Sequence, residues 1–130
     1  MALLGAREGE VQTTRGMAAE LGVSEAHLSK VLQRLTKMGL VKSIRGARGG
    51  FLLAREPDGV TLLEVYEAID GPLRPSTCLL DRPTCNGNCI LGGLLGQANQ
   101  LVADHFESRT VRDLAAPFAR PSGAGDGDAP

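Results

Sequence analysis

The sequence predicts a mainly α-helical chain with one small β-hairpin, built as a winged helix-turn-helix followed by a long dimerisation helix. Three observations predict it. Residues 17–39 read as a short helix, a Gly-Val-Ser turn and a second amphipathic helix. A basic, glycine-rich hairpin follows directly over residues 40–54. An apolar seam then recurs at steps of three and four from residue 90 to residue 106.

The elements follow in order. Residues 1–7 can form only a short first helix before Gly9 breaks the pattern. Thr13 or Thr14 caps a helix over about residues 15–21, with Met17, Ala18 and Leu21 toward the core. Gly22 supplies the left-handed conformation that often ends a helix, and Ser24 is an N-cap for the next. Glu25 in the first turn favours the helix dipole. Leu28, Val31, Leu32, Leu35 and Met38 form the buried stripe of this second helix. His27, Lys30, Arg34 and Lys37 fall on its opposite side, and Gly39 ends it.

Residues 40–45 alternate apolar and polar as a half-buried strand does; residues 46–50 turn the chain and 51–54 return it. The glycines are not a nucleotide loop, because no helix follows to present its N-terminus to a phosphate.

Charge is divided between the halves. Residues 1–55 carry nine Lys/Arg and four Asp/Glu, a balance of +5, and residues 56–130 carry five and eleven, a balance of −6. No acid lies between Glu25 and Glu56. A one-sided basic face coinciding with helix-turn-helix geometry points to duplex DNA. Glu25, Ala26, His27 and Lys30 at the start of the second helix are candidate base-reading residues, and Ser24 before them is a further candidate DNA contact. Arg34, Lys37 and Lys42 are candidate phosphate contacts, and Arg45 and Arg48 flank a hairpin tip suited to a minor groove.

These residues carry a family likeness. SEAHLSKVLQRL, then GLVKSIRGARGGFLLAREP, then LLEVYEAIDGPL resemble the Rrf-type family of bacterial winged-helix transcriptional regulators. The resemblance covers about residues 13–116, and RGARGGFLL is its most specific part. It implies a dimeric, sequence-specific regulator, a repressor in several members. It also implies a first helix that packs on the dimerisation helix; here that segment is reduced.

Beyond the wing, Thr61 and Glu64 form a capping box, and Leu62, Leu63, Val65, Tyr66 and Ile69 supply the buried face of a connector helix that Gly71 and Pro72 stop. Tyr66 belongs to the core. All three cysteines then lie within twelve residues as Cys78-x6-Cys85-x3-Cys89. From the residues alone, four readings stand: structural zinc, which prefers two close Cys/His pairs; a Cys85–Cys89 thiol switch; unliganded thiols; and an iron–sulfur cluster held by three thiolates and a weaker ligand. The resemblance selects the cluster, [2Fe-2S] or [4Fe-4S], on Cys78, Cys85 and Cys89, because iron–sulfur members carry three cysteines at this point in the chain. In one branch a histidine follows the last cysteine by three residues; Gly92 stands there. Glu8, Glu10, a small molecule or water are left as fourth ligands.

Leu91, Leu94, Leu95, Ala98, Leu101, Val102 and Phe106 make the seam of a helix that pairs with a second copy, setting two reading helices about 34 Å apart on a palindromic operator. His105 is a polar helix residue. Thr110 caps a short terminal helix that Pro117 ends. The chain divides into a DNA-binding unit with connector helix (1–72), a cysteine loop (73–89), dimerisation and terminal helices (90–116) and a disordered tail (117–130). No apolar run has the length of a membrane span, and no basic start leads into a signal-peptide core, so the expected compartment is the cytoplasm. No nucleophile–base pair or cofactor loop speaks for an enzyme. The alternative is a winged-helix repressor controlled by a small-molecule ligand or by thiol oxidation, with no cluster.

Overall fold

The computed structural model describes residues 1–74, 76, 78, 79, 86 and 88–119. Helix α1 (Ala2–Ala6) is followed by α2 (Thr14–Leu21), α3 (Glu25–Lys37), an antiparallel hairpin of β1 (Val41–Ile44) and β2 (Gly50–Leu53), α4 (Leu62–Asp70), α5 (Gly92–Ser108) and α6 (Val111–Ala115). The order is helix-turn-helix, wing, connector and long helix, as the sequence predicts.

The turn between α2 and α3 uses local chemistry throughout. Thr13 Oγ1 accepts the Gly16 amide at 3.0 Å and opens α2. Gly22, at φ 66°, closes it, with the Val23 amide returning to the Ala18 carbonyl. Ser24 Oγ then accepts the His27 amide at 3.4 Å, so the cap of α3 is built into the turn itself. Leu32 and Leu35 are buried and join Leu3, Leu4, Met17, Leu40, Val41, Leu53, Val60 and Val111 in one core; Leu28 and Val31 pack at its edge. Met38, expected in this stripe, is 59% exposed. It lies one residue past the last helical turn, where the backbone bends toward Gly39, and Leu40 and Val41 take over the buried positions.

The strands are four residues each, the first shorter than the expected 40–45 and the second shifted back by one from 51–54, with Val41 opposite Leu53 and Ile44 opposite Gly50. A third chain segment joins them: Gln12 and Phe51 exchange both backbone hydrogen bonds at 2.8 Å. This approach requires a glycine at position 50, since a Cβ there would overlap the Gln12 carbonyl.

Helix α1 is the short first helix expected, five residues long. Within the chain it lies against α6 and the 3-10 turn Ala116–Phe118. Gly5 makes this possible, because a Cβ there would stand 2.9 Å from Val111 Cγ1. The α6 end is also stitched to the start of α4. The Val111 amide donates to the Val60 carbonyl and the Leu62 amide to the Arg109 carbonyl, both at 2.9 Å, and Val60 and Val111 are fully buried. Pro117 therefore does not open a free tail: it sits in the 3-10 turn, while residues 120–130 lie outside the described residues.

Helix α4 has the capping box in full: Thr61 Oγ1 accepts the Glu64 amide at 3.2 Å and Glu64 Oε2 accepts the Thr61 amide at 2.9 Å. Leu62, Leu63, Val65, Tyr66 and Ile69, expected to be buried, are all half-buried. One side of α4 packs on α3 and another on α5, where the Tyr66 and Phe106 rings stand 5.7 Å apart. The 17-residue α5, about 25 Å long, leaves the rest of its seam uncovered: Leu94 is 60% and Leu101 72% exposed.

Candidate nucleic-acid interface and cysteine segment

The expected reading residues share one accessible surface. Ser24, Glu25, Ala26, His27, Lys30 and Lys37 on the turn and α3, and Lys42, Arg45 and Arg48 on the wing, are all exposed. Ser24 spends its hydroxyl on the helix cap. At the wing tip Gly46 takes φ 116° and its carbonyl accepts the Gly49 amide at 3.0 Å, a tight turn that carries Arg45 and Arg48 on either side.

Charge pairing separates these cations from three arginines of the body. Arg7 is bound by Glu20 at 2.8 Å, Arg55 by Glu64 at 2.8 Å, and Arg112 by Asp58 at 2.7 Å and Glu8 at 3.4 Å. Among the described residues no carboxylate pairs with Lys30, Lys37, Lys42, Arg45 or Arg48. Arg7, Arg55 and Arg112 are neutralised at home, whereas the cations of α3 and the wing keep their field for an outside anion; Arg15, Arg74 and Arg109, scattered over the rest of the chain, have no ion pair among the described residues either.

Arg34 departs from this group. Its Nη1 donates to the Ile69 carbonyl at 2.9 Å, at the end of α4. Two residues join the surface that the sequence reading missed. Thr14 and Ser29 line a hollow with Glu25 and Ala26, between the start of α2 and the first turns of α3. Ser29 lies four residues after Glu25 and so on the same helical face; that spacing was the available signal.

The wing root is buttressed by acids. Arg55 and the Thr61 amide hold the Glu64 carboxyl below the usual carboxylate range, the Arg55 hydrogen bond being the largest cause. Glu56 is pushed the other way by the neighbouring Glu8 carboxylate, which favours the protonated form of Glu56 that can donate to it. Glu8, a candidate fourth cluster ligand, is paired with Arg112 within its own chain, and Glu10 is exposed in the loop before Gln12.

Of the three cysteines, Cys78 is half-buried and Cys89 exposed, three residues before α5 begins; Cys85 lies outside the described residues. The Cys78 amide donates to Ser76 Oγ at 3.3 Å, and the Ser76 carbonyl accepts from Asn99 Nδ2 on α5. Among the described residues no three His, Cys, Asp or Glu side chains come together as a metal set. The donor chemistry of the cysteine segment, three soft sulfur ligands, fits iron or zinc. A separate apolar hollow of about 360 Å³ lies between α1, α3, α4 and α6, with Leu28, Val31, Val65, Ile69 and Leu114 in its wall. No helix among the described residues is long and apolar enough to cross a membrane.

Known proteins share these features. The sequence pattern of the Rrf2 family, described as an iron-dependent transcriptional regulator, matches residues 1–117. An HTH-type transcriptional regulator of Aquifex aeolicus is 34% identical over 91 residues, which are 67% of this chain and 63% of that protein, so the chain spans somewhat under two thirds of that relative. The regulator NsrR of Shouchella clausii is 36% identical over 95 residues, 71% of this chain and 64% of its own. The regulator CymR of Bacillus subtilis is 32% identical over 114 residues, 87% of this chain and 79% of its own. The solved structure of the same CymR, described as a global cysteine regulator, superposes with a TM-score of 0.73 and 30% identity over 89% of this chain and 87% of that one. The two share a fold over most of their length, and the chain belongs to the Rrf2 family of transcriptional regulators, which are not enzymes.

Proposed function

We propose that this protein is a cytoplasmic, sequence-specific regulator that binds a palindromic operator as a homodimer, with its affinity set by the cysteine segment. The observation that carries the DNA reading is the set of five cations on α3 and the wing that no carboxylate in the described chain neutralises. Glu25, Ala26, His27 and Lys30 read base edges from the first turns of α3, with Thr14 and Ser29 beside them. Ser24, Lys37 and Lys42 bind phosphate, and Arg45 and Arg48 enter the minor groove. The uncovered seam of α5, with Leu94, Leu101 and Val102 exposed, supports pairing with a second copy.

Control resides in Cys78, Cys85 and Cys89. They would hold an iron–sulfur cluster, which when bound supplies iron whose state answers to oxygen, nitric oxide or iron supply. The chain's own contribution is mechanical. The segment joins the end of α4 to the start of α5, so a change in its conformation alters the angle at which α5 leaves the reader and the spacing of the two reading helices.

The deciding experiment is an absorption spectrum with iron and sulfide analysis on anaerobically purified protein, beside operator affinity before and after chelation. A broad visible band lost in Cys85→Ser, with affinity changing on chelation, is expected. Colourless protein after reconstitution removes the cluster and leaves the second reading, a repressor controlled by a ligand or by thiol oxidation. The 360 Å³ apolar hollow against α3 favours that second reading if the first fails.

A further inference from the structure

We propose that Arg34 is a positioning residue that ties α3 to the end of α4, and through it to the cysteine segment, and that it does not bind phosphate. The inference rests on the reading of the cysteine segment as the control element.

Arg34 shares the side of α3 that carries Lys30, four residues before it, and Lys37, three after it. Those two side chains have no ion-pair partner among the described residues, whereas the Arg34 guanidinium reaches the Ile69 carbonyl at 2.9 Å across 35 residues of sequence. Among the described residues this is the one side-chain hydrogen bond that joins α3 to α4. The last carbonyls of a helix lack intrahelical donors and favour a cation. The last turn of α4 contains no basic residue, so α3 supplies the missing charge.

The same carbonyl end is where the control segment starts. Gly71, at φ 83°, turns the chain out of α4 and its amide returns to the Glu67 carbonyl at 3.0 Å. The Leu73 amide donates to Glu67 Oε1 at 3.1 Å. Two residues before Cys78, the Ser76 carbonyl is held by Asn99 of α5. Hydrogen bonds therefore tie Gly71 and Leu73 to the last turns of α4 and Ser76 to α5, and Arg34 ties the same end of α4 to the reading helix. Any shift of the segment that moves the Ile69 carbonyl is delivered to α3 between Lys30 and Lys37.

The test uses Arg34→Gln and Arg34→Lys in the full chain. Each is loaded anaerobically with ferrous iron and sulfide or stripped with chelator, then titrated with a labelled duplex selected from a random pool, over a range of salt. Arg34→Gln is expected to keep the wild-type slope of log affinity against log salt and to shrink the loaded-to-stripped affinity ratio at least threefold. Arg34→Lys, whose ammonium still caps α4, is expected to keep that ratio. A slope shallower by about one, with the ratio intact, makes Arg34 a phosphate contact and overturns the proposal. If wild-type affinity is the same loaded and stripped, the control reading fails by itself. Amide exchange then decides on the stripped protein: faster exchange over residues 70–74 in Arg34→Gln supports the link, and unchanged exchange overturns it.

Discussion

Two helices in this chain carry apolar stripes of similar spacing and meet opposite fates. On α3, Leu32 and Leu35 are each 2% exposed, enclosed by α1, α2, β1 and α6 residues of the same chain. On α5, Leu94 and Leu101 are 60% and 72% exposed, although the helix is longer and its seam as regular. Periodicity reports that a face is apolar; it does not report what covers it. The reader completes its core within one chain, whereas α5 leaves part of its seam uncovered, the face proposed above for a second copy. Stability should therefore reside in the first region and assembly in the second.

The largest effect expected from this contrast is on folding. Leu35→Ala opens a hole in the only core the reader has and should cost about 2–5 kcal/mol, enough to unfold much of a domain this size. Urea titration followed by circular dichroism measures it. Leu101→Ala, by the same measurement on isolated protomers, should cost little, because the side chain is mostly solvated in the single chain. Equal losses would erase the distinction between the regions.

Assembly gives the converse test. Leu94→Glu with Leu101→Glu places charge on the seam and should yield a folded monomer by sedimentation, with its circular dichroism retained. Operator affinity should drop by about a hundredfold or more, since the second half-site no longer binds as part of one molecule. A double variant that stays dimeric would move the interface elsewhere.

The wing lies between these extremes. Gly50→Ala forces β2 away from the Gln12 carbonyl and should cost about 1–3 kcal/mol while disturbing the wing. Arg48→Ala leaves the fold untouched and removes one unpaired cation, lowering operator affinity and flattening the salt slope by about one. If both variants lose the same affinity at unchanged stability, the Gln12 strand plays no part in holding the wing.

The division also explains what could be read in advance. The helix-turn-helix was legible because its signals are local: a cap at Ser24, a left-handed Gly22 and an acid at Glu25 act within a few residues. The capping box at Thr61 and Glu64 was legible for the same reason. The position of α1 was not, because Gly5 owes its role to Val111 and Ala115, more than a hundred residues away. Arg34 looked like its neighbours Lys30 and Lys37, and only the position of the α4 carbonyl end separates it from them. Met38 matched the helical period, but the helix stopped first. In the site, the cation set came from composition and Ser29 was within reach of the helical spacing from Glu25, whereas Thr14 became visible only when α2 and α3 were docked.

The smallest effect concerns the joint between the two regions. Glu64 caps α4 through Thr61 and binds Arg55 from the wing exit, and its folded pKa lies below the usual carboxylate value, with the Arg55 hydrogen bond as the first cause. A depressed pKa adds stability that is present above the unfolded value and lost as pH falls through the folded one. Stability should therefore decline in acid, below the ordinary glutamate range, and Glu64→Gln should flatten that part of the profile. The gain is small because the pair is two-fifths or more exposed and screened by salt. Thr61→Ala should cost about 1 kcal/mol from the lost cap, at neutral pH as in acid. An acid profile unchanged by Glu64→Gln would show that the wing and the connector helix are held together by packing alone, and that the joint carries no charge-dependent link between reader and long helix.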